Sequence, residues 1–221
     1  EQLGERHPDV ATTYNDLAAL YESMGREEEA LPLYQKVLEI KLEQLGERHP
    51  DVVTTYNNLA SLYELMERYE EALPLYQNAL EIKLEQLGER HPDVVTTYNN
   101  LAGLYLSMER YEEAEQLFKK TLVFGLEILP ENHPNIMESY WGLATIASLQ
   151  ENYEEALSNY QQAINIAQQT LGENHPNTIQ ITDSYSQMLL EALTEELLKA
   201  LPEEIDENYL EARRDWENQE Q

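Results

Sequence analysis

The sequence repeats itself at a fixed interval of 42 residues, and this periodicity limits what the chain can fold into more than any other feature. The stretch Glu43–Ala60, EQLGERHPDVVTTYNNLA, recurs letter for letter at Glu85–Ala102. Related copies begin at Glu1, Glu127 and, more faintly, Gln169. A fixed period of about 20–50 residues is typical of repeat proteins, in which each unit contacts only its neighbours. We therefore expect a stack of like units rather than one or two globular domains.

The histidines mark the boundaries of the units. There are five, each precedes a proline, and each lies 42 residues from the next: His7, His49, His91, His133 and His175. The chain begins inside a repeat, because its first four residues match residues 43–46, and we interpret it as a fragment of a longer array. The predicted division is the end of a preceding repeat at 1–7, repeats at 8–49, 50–91, 92–133 and 134–175, and a degenerate repeat with capping helices at 176–221.

Each unit is predicted to form two helices, A and B. In the second unit Pro50 fits the first helical position, and apolar residues at helical spacing continue helix A to about Met66. These residues are Val52, Tyr56, Leu59, Ala60, Tyr63 and Met66. After a turn at Met66–Arg68, marked by Gly25 in the first unit, acidic residues favour the start of helix B. Gly88 is predicted to end that helix, and Pro74 to bend it without breaking it.

The fifth unit departs from this pattern. No Gly or Asn marks a turn near Ala192, so helix A is predicted to continue from Pro176 to about Ala200. A kink at Leu193-Thr194 is the alternative. A last helix is predicted from Pro202, with fraying after Trp216. Atypical terminal units are expected in solenoids, where they serve as caps.

The pattern of large and small residues resembles the tetratricopeptide repeat. The first unit gives Tyr14, Leu17, Ala18, Tyr21, Ala30 and Tyr34, and the second gives Tyr56, Leu59, Ala60, Tyr63, Ala72 and Tyr76. The Leu-Gly-Glu-x-His-Pro joint and the 42-residue period look specifically like the repeats of kinesin light chains and their bacterial relatives. This resemblance implies an all-α fold, a right-handed α-solenoid of helical hairpins.

Composition excludes several classes of partner. The formal charge is −29, from 14 Lys and Arg against 43 Asp and Glu, so binding to nucleic acid or to an anionic membrane is not expected. A neutral or basic partner is favoured, although the acidity has the alternative role of keeping the protein in solution. Cysteine is absent, which suits a reducing, cytoplasmic location. No apolar run is long enough to cross a membrane.

Catalytic chemistry is not indicated. The sequence has no Gly-rich phosphate loop, no His-Glu-x-x-His and no Gly-x-Ser-x-Gly, so we predict no enzyme activity and no cofactor. The histidines repeat two helices apart, too far for two of them to share one zinc ion. A role at the joint between units is the favoured interpretation, and pH sensing the weaker alternative.

The concave face of the array, lined by the A helices in the family that the chain resembles, is the candidate binding groove. Its predicted residues are Thr12, Asn15 and Glu22; Thr54, Asn57, Ser61 and Glu64; Thr96, Asn99 and Leu106; and Glu138, Trp141 and Thr145. Asn15, Asn57 and Asn99 would form a ladder of amides able to bind the backbone of an extended peptide. Repeated asparagines are also what a recent duplication would leave. Trp141 is either a binding anchor or a packing residue between units.

We predict that the chain is a non-catalytic scaffold or adaptor that binds a protein or extended peptide in this groove. Kinesin light chains use basic groove residues to bind acidic, tryptophan-bearing peptides, and this groove has no Lys or Arg at the predicted positions. Two rival hypotheses stay open. The array is a self-assembly module that forms homo-oligomers through its open ends, or it is the sensor domain of a larger signalling protein.

Overall fold

The computed structural model describes residues 7–199, and in this range the chain forms helices joined by short turns. They are α1 (Pro8–Ser23), α2 (Glu27–Leu45), α3 (Pro50–Leu65), α4 (Tyr69–Leu87), α5 (Pro92–Ser107), α6 (Tyr111–Ile128), α7 (Pro134–Leu149), α8 (Tyr153–Thr170) and α9 (Pro176–Lys199). Odd-numbered helices are the A helices and even-numbered helices are the B helices. Each helix packs on the next one along the chain. The described part therefore has the predicted all-α architecture of stacked hairpins.

The predicted helix limits agree closely with the structure. Helix α3 begins at Pro50 and ends one residue before Met66. Helix α9 continues without interruption through Leu193-Thr194, so the kink considered there is absent. Helix α4 also continues through Pro74, because loss of one hydrogen bond does not break a helix held by packing on both sides. The predicted helix from Pro202, the tail after Trp216 and residues 1–6 lie outside the described residues.

The boundary histidines have a structural role that the sequence analysis did not identify. Each is the residue before a helix A, and its Nδ1 accepts a hydrogen bond from the backbone N–H two residues later. The distance from His49 Nδ1 to the Asp51 nitrogen is 3.1 Å. Side-chain acceptors at this position satisfy one of the free N–H groups of the first helical turn. The histidines are helix caps, and no metal-binding cluster exists in the described part of the chain.

The turn between helices A and B is built alike in the first three units. The N–H of Arg26 donates to the Tyr21 carbonyl, and the N–H of Gly25 to the Glu22 carbonyl, which together form a Schellman motif. The Arg26 guanidinium then lies 4.6 Å from the centre of the Tyr21 ring and pairs with Glu29. Arg68 and Arg110 repeat these contacts. The first three units therefore share one connection between helix A and helix B.

The core runs along the whole stack between the A and B helices. At one shared repeat position each helix B has a fully buried alanine, namely Ala30, Ala72, Ala114 and Ala156. The predicted aromatic positions Tyr56 and Tyr76 are buried as well. Small residues let neighbouring helices approach closely, while the aromatic rings fill the space between units. This packing leaves the other face of the A helices to line a groove.

Candidate functional site

The A helices α3, α5 and α7 enclose a cavity in the groove, with a volume of about 540 Å³. Helices α4 and α6 contribute its floor, and α9 contributes one residue. The lining residues are Ser61, Glu64, Tyr76, Asn99, Asn100, Gly103, Leu106, Ser107, Phe118, Glu138, Trp141, Gly142, Thr145 and Ser184. Cavities of this size, with apolar walls and a few polar groups, are typical of ligand sites.

The structure brings together about half of the predicted groove residues in this cavity. Those inside it are Ser61, Glu64, Asn99, Leu106, Glu138, Trp141 and Thr145. The predicted residues that do not line it are Thr12, Asn15, Glu22, Thr54, Asn57 and Thr96. Most of the latter belong to the first two units, so the site is concentrated in units two to four rather than spread evenly along the array.

The apolar part of the cavity is formed by two residues of the third unit that differ from their equivalents in the first two units. In the first two units a tyrosine of helix B donates to a glutamate of helix A: Tyr34 to Glu22 at 3.0 Å and Tyr76 to Glu64 at 3.3 Å. In the third unit the equivalent residues are Phe118 and Leu106. Both partners of the hydrogen bond are therefore replaced together, and an apolar wall takes the place of a polar pair.

Asn99 joins helices α5 and α7. Its amide nitrogen donates to Glu138 Oε2 at 2.5 Å, and its amide oxygen accepts from the Ser139 hydroxyl at 2.9 Å. Nearby, Asn135 Nδ2 donates to Thr96 Oγ1 at 2.9 Å. Asn99 is only 5% exposed. These bonds hold the two A helices together and fix the position of the Glu138 carboxylate at the edge of the cavity.

The three asparagines of the predicted ladder are therefore not equivalent. Asn99 does not present a free amide to the groove, because protein groups already bond both ends of that amide. Asn57 is half-buried, and its Oδ1 has no hydrogen-bond partner among the described residues. The equivalent of Ser139 beside Asn57 is Thr97, whose hydroxyl instead bonds Lys83 and the Asp93 carbonyl. A ligand contact by Asn57 stays a prediction.

Two carboxylates give the cavity its electrostatic character. Burial raises the pKa of Glu64, and the hydrogen bond from Tyr76 opposes this only in part. Burial likewise raises the pKa of Glu138, against a smaller opposite effect of Asn99. No Lys or Arg is among the residues that line the cavity. The ionised glutamates thus lie in a poorly solvated site without a compensating cation, which disfavours anionic ligands.

The sequence analysis did not identify Gly142 and Phe118 as residues of the site. Gly142 aligns with Asn58 and Asn100, and a β-carbon at Gly142 would lie 2.3 Å from the ring of Phe118. Gly103 aligns with Ser61 and Thr145 and leaves the space above Glu64 open. A position-by-position comparison of the units would have found Gly142 and Phe118, since each replaces a polar side chain that the two preceding units carry at that position.

Comparison with known families assigns the repeat. Two family models of the tetratricopeptide repeat match the sequence, one over residues 51–122 and 135–201 and the other over residues 10–51. The chain belongs to the tetratricopeptide repeat family. The resemblance inferred from the sequence is thereby confirmed, and tetratricopeptide repeats generally mediate protein–protein interactions as non-catalytic scaffolds. Comparison with the curated proteins found no match.

Solved structures with this tetratricopeptide fold include proteins of the kinesin light chain type. BtubC (BKLC) of P. vanneervenii is 26% identical with a TM-score of 0.67, over 79% of this chain and 70% of that one. A Podospora anserina kinesin light chain with nearly identical repeats is 23% identical with a TM-score of 0.68, over 97% of this chain and 98% of that one. MamA is 16% identical with a TM-score of 0.55, over 76% of this chain and 84% of its own. At these identities the last two show the fold alone.

Among the described residues, no helix combines the length and apolarity that crossing a bilayer requires. The surface of the repeat array is instead strongly acidic, and Lys and Arg are absent from the sequence between Thr121 and Leu198.

Proposed function

We propose that this tetratricopeptide array is a scaffold or adaptor that binds an extended segment of a partner protein in the groove of its A helices. The observation that carries the proposal is the cavity of about 540 Å³ between α3, α5 and α7. It combines an aromatic anchor, Trp141, with an apolar wall and fixed polar groups. Tryptophan in a partly enclosed site is frequent among residues that dominate binding energy. A reducing, cytoplasmic setting belongs to the same proposal, since the chain has no cysteine.

The charge of the groove supports a neutral or basic partner. Glu64 and Glu138 line the cavity, and no cation lines it. An acidic segment would meet like charges, which lowers affinity and slows association. A basic segment would be attracted, and salt would weaken its binding because mobile ions screen exposed charges. This preference is the opposite of the acidic peptides that the resemblance to kinesin light chains implies.

The test compares three synthetic 12-residue peptides of one neutral sequence, with its variable positions filled by Ser, Lys or Glu. Replacement of Trp216 by phenylalanine leaves Trp141 as the only tryptophan, so its fluorescence reports occupation of the groove. We expect the basic peptide to bind most tightly and the acidic one most weakly. Trp141→Ala, assayed by calorimetry, should weaken binding about tenfold or more.

Leu149→Ala is the matched control, because Leu149 ends the same helix but is exposed and outside the cavity. It should leave the affinity unchanged. Tighter binding of the acidic peptide at low salt would contradict the charge preference, and equal effects of the two alanine variants would contradict the location of the site.

Exposed leucines of α1 support self-assembly as a second candidate function. Leu17 and Leu20 are 37% and 53% exposed, whereas the equivalent Leu59 and Leu62, covered by the preceding unit, are 3% and 0% exposed. Apolar surface of this kind can associate with another molecule. Light scattering over a concentration series tests this, with Leu20→Glu as the variant expected to abolish any concentration-dependent increase in mass.

A further inference from the structure

The interior of the cavity is formed where the third and fourth units depart from the repeat. Leu106 and Phe118 replace a hydrogen-bonded glutamate and tyrosine, and Gly142 makes room for the Phe118 ring. Gly103 removes a side chain that the neighbouring units carry as Ser61 and Thr145. A β-carbon at Gly103 would have Glu64 Oε1, at 4.0 Å, as its nearest neighbour. These changes produce an apolar cleft that opens beside a carboxylate, at positions where the first two units have a hydrogen-bonded glutamate and tyrosine.

Both carboxylates of the cavity have an oxygen left over for a ligand. Tyr76 donates to Glu64 Oε2, and Asn99 donates to Glu138 Oε2. Among the described residues, neither glutamate forms an ion pair, and the second oxygen of each accepts no hydrogen bond. Both glutamates are half-buried, and a carboxylate that is partly removed from water without a counter-charge is unfavourable, so a cation that enters the cavity would relieve this cost.

The two parts of the cavity together specify the chemistry of the occupant. An acidic side chain would be repelled by the carboxylates. A purely apolar side chain would match the wall of Leu106 and Phe118 but would remove water from both carboxylates without replacing its hydrogen bonds. A lysine or arginine side chain satisfies both parts, because its stem is aliphatic and its end is a cation with several donors.

We propose that the cavity between α3, α5 and α7 is a specificity pocket for a lysine or arginine side chain of the bound segment. The aliphatic stem packs on Leu106 and Phe118, and the cation is held by the carboxylates of Glu64 and Glu138. The ring of Trp141 lines the same cavity and adds a face that attracts cations. This pocket rests on the proposed function, since it selects one residue of the peptide that the groove binds.

The test uses pools of acetylated, amidated hexapeptides in which one central residue is fixed and the others are mixtures of neutral amino acids. The fixed residue is Lys, Arg, norleucine or Glu, and Trp141 fluorescence in the full chain with Trp216→Phe reports binding. Norleucine has the stem of lysine without its charge. We expect the Lys and Arg pools to bind at least tenfold more tightly than the norleucine pool, and the Glu pool to bind most weakly.

Variants separate the pocket from the groove. Glu64→Gln with Glu138→Gln should remove the preference for Lys over norleucine, because the affinity for Lys falls while the affinity for norleucine stays the same or rises once no charged carboxylate has to lose water. Glu22→Gln is the matched control, because Glu22 occupies the position of Glu64 in the first unit, accepts from Tyr34 in the same way and lies outside the cavity. It should leave the preference intact. Circular dichroism checks that each variant is folded.

The outcomes distinguish the two proposals. If the chain without glutamate substitutions binds the Lys and norleucine pools equally tightly, the proposed pocket is wrong, whereas peptide binding in the groove still stands. This comparison needs no glutamate variant. An undiminished preference in the folded double variant would also overturn the pocket. If no pool changes the fluorescence of Trp141, both the pocket and peptide binding in this groove are wrong.

Discussion

At the scale of single residues, the turn between helices A and B shows how strongly packing determines backbone conformation. Gly25 has a φ of +65°, and the equivalent Glu67, Glu109 and Glu151 have φ of +57°, +58° and +59°. A left-handed conformation is unfavourable for residues with a β-carbon and natural for glycine. The Schellman hydrogen bonds around the turn are the same in the first four units. The three glutamates are therefore held in a conformation that only the first unit adopts without strain.

Glu109→Gly is expected to stabilise the protein for this reason. The left-handed conformation costs a residue with a β-carbon about 1–2 kcal/mol, and the greater freedom of glycine in the unfolded chain offsets about half of the gain. We expect the free energy of unfolding, measured in urea, to rise by about 1 kcal/mol. Gly25→Glu is the reverse control and should lower it by a similar amount. A loss of stability in Glu109→Gly would show that the glutamate side chain, rather than its backbone conformation, matters at the turn.

The cavity glutamates should make stability depend on pH. Burial raises the pKa of Glu64 above its ordinary value of 4.5, so the folded state retains a proton in a window above pH 4.5 where the unfolded state has released it. Folding stability then falls as the pH rises through this window. Glu64→Gln removes the effect and should raise the unfolding midpoint at pH 7 but not at pH 4.

The other titratable groups of the cavity, Tyr76 and Glu138, are retained in this variant, and Glu22→Gln outside the cavity serves as its control. Thermal midpoints at the two pH values are the measurement. A gain for Glu64→Gln that is as large at pH 4 as at pH 7 would mean that desolvation of the carboxylate is not its cause.

At the scale of the helices, α9 covers the last complete unit. Its Ile181 and Met188 are buried in the cluster that includes Ala163, Ile166 and Ala167 of α8. The rings of Tyr185 and Tyr160 lie 5.9 Å apart across the same contact. The sequence predicted that this helix begins at Pro176 and continues past Ala192, since Pro176 and the missing turn signal are local features. The capping role predicted for it depends on contacts with α8, and no local pattern specifies which side chains make them.

Ile181→Ala should therefore destabilise the array. Truncation of a fully buried isoleucine costs about 2–5 kcal/mol, because apolar contacts are lost and a cavity remains. Ile179→Ala is the control on the same helix, since Ile179 is 48% exposed and Ile181 is 0% exposed. The control should change the free energy of unfolding by less than about 0.5 kcal/mol. Equal small effects would indicate that α9 unfolds separately from the stack and does not cap it.

At the scale of the whole molecule, the sequence predicted the fold well and the site only in part. Periodicity and helix-end residues act locally, so the hairpins could be inferred from one unit, whereas the groove face was inferred from the resemblance to the tetratricopeptide repeat. The site depends on pairs of contacting residues in which both members replace the residue found at that position in other units. Such pairs are Leu106 with Phe118 and Phe118 with Gly142. Such pairs are distant in sequence and meet only in the fold. The role of Asn99 likewise depends on contacts between units. Asn99 is the repeat equivalent of Asn57, but its hydrogen bonds with Glu138 and Ser139 link it to α7.

The stacking of units also predicts how the array responds when it is lengthened. Leu20 is 53% exposed at the α1 end, whereas the equivalent Leu62 is 0% exposed because a unit precedes it. A copy of residues 7–42 fused directly before Glu1 continues the repeat in register, since Leu42 is followed by Glu43 in the native chain. The added helix B should then cover Leu17 and Leu20 as the native units cover Leu59 and Leu62.

We expect this coverage to change the cost of one substitution. In the native chain Leu20→Ala should lower the free energy of unfolding by less than about 1 kcal/mol, because much of the side chain is exposed to water in the folded state. In the fused chain the same substitution should cost about 2–5 kcal/mol, as for any buried leucine. Leu62→Ala is the control and should cost this larger amount in both chains. If Leu20→Ala lowers the free energy of unfolding of the fused chain by less than about 1 kcal/mol as well, the added unit does not pack on α1. Leu17 and Leu20 would then have to contact something other than a preceding repeat.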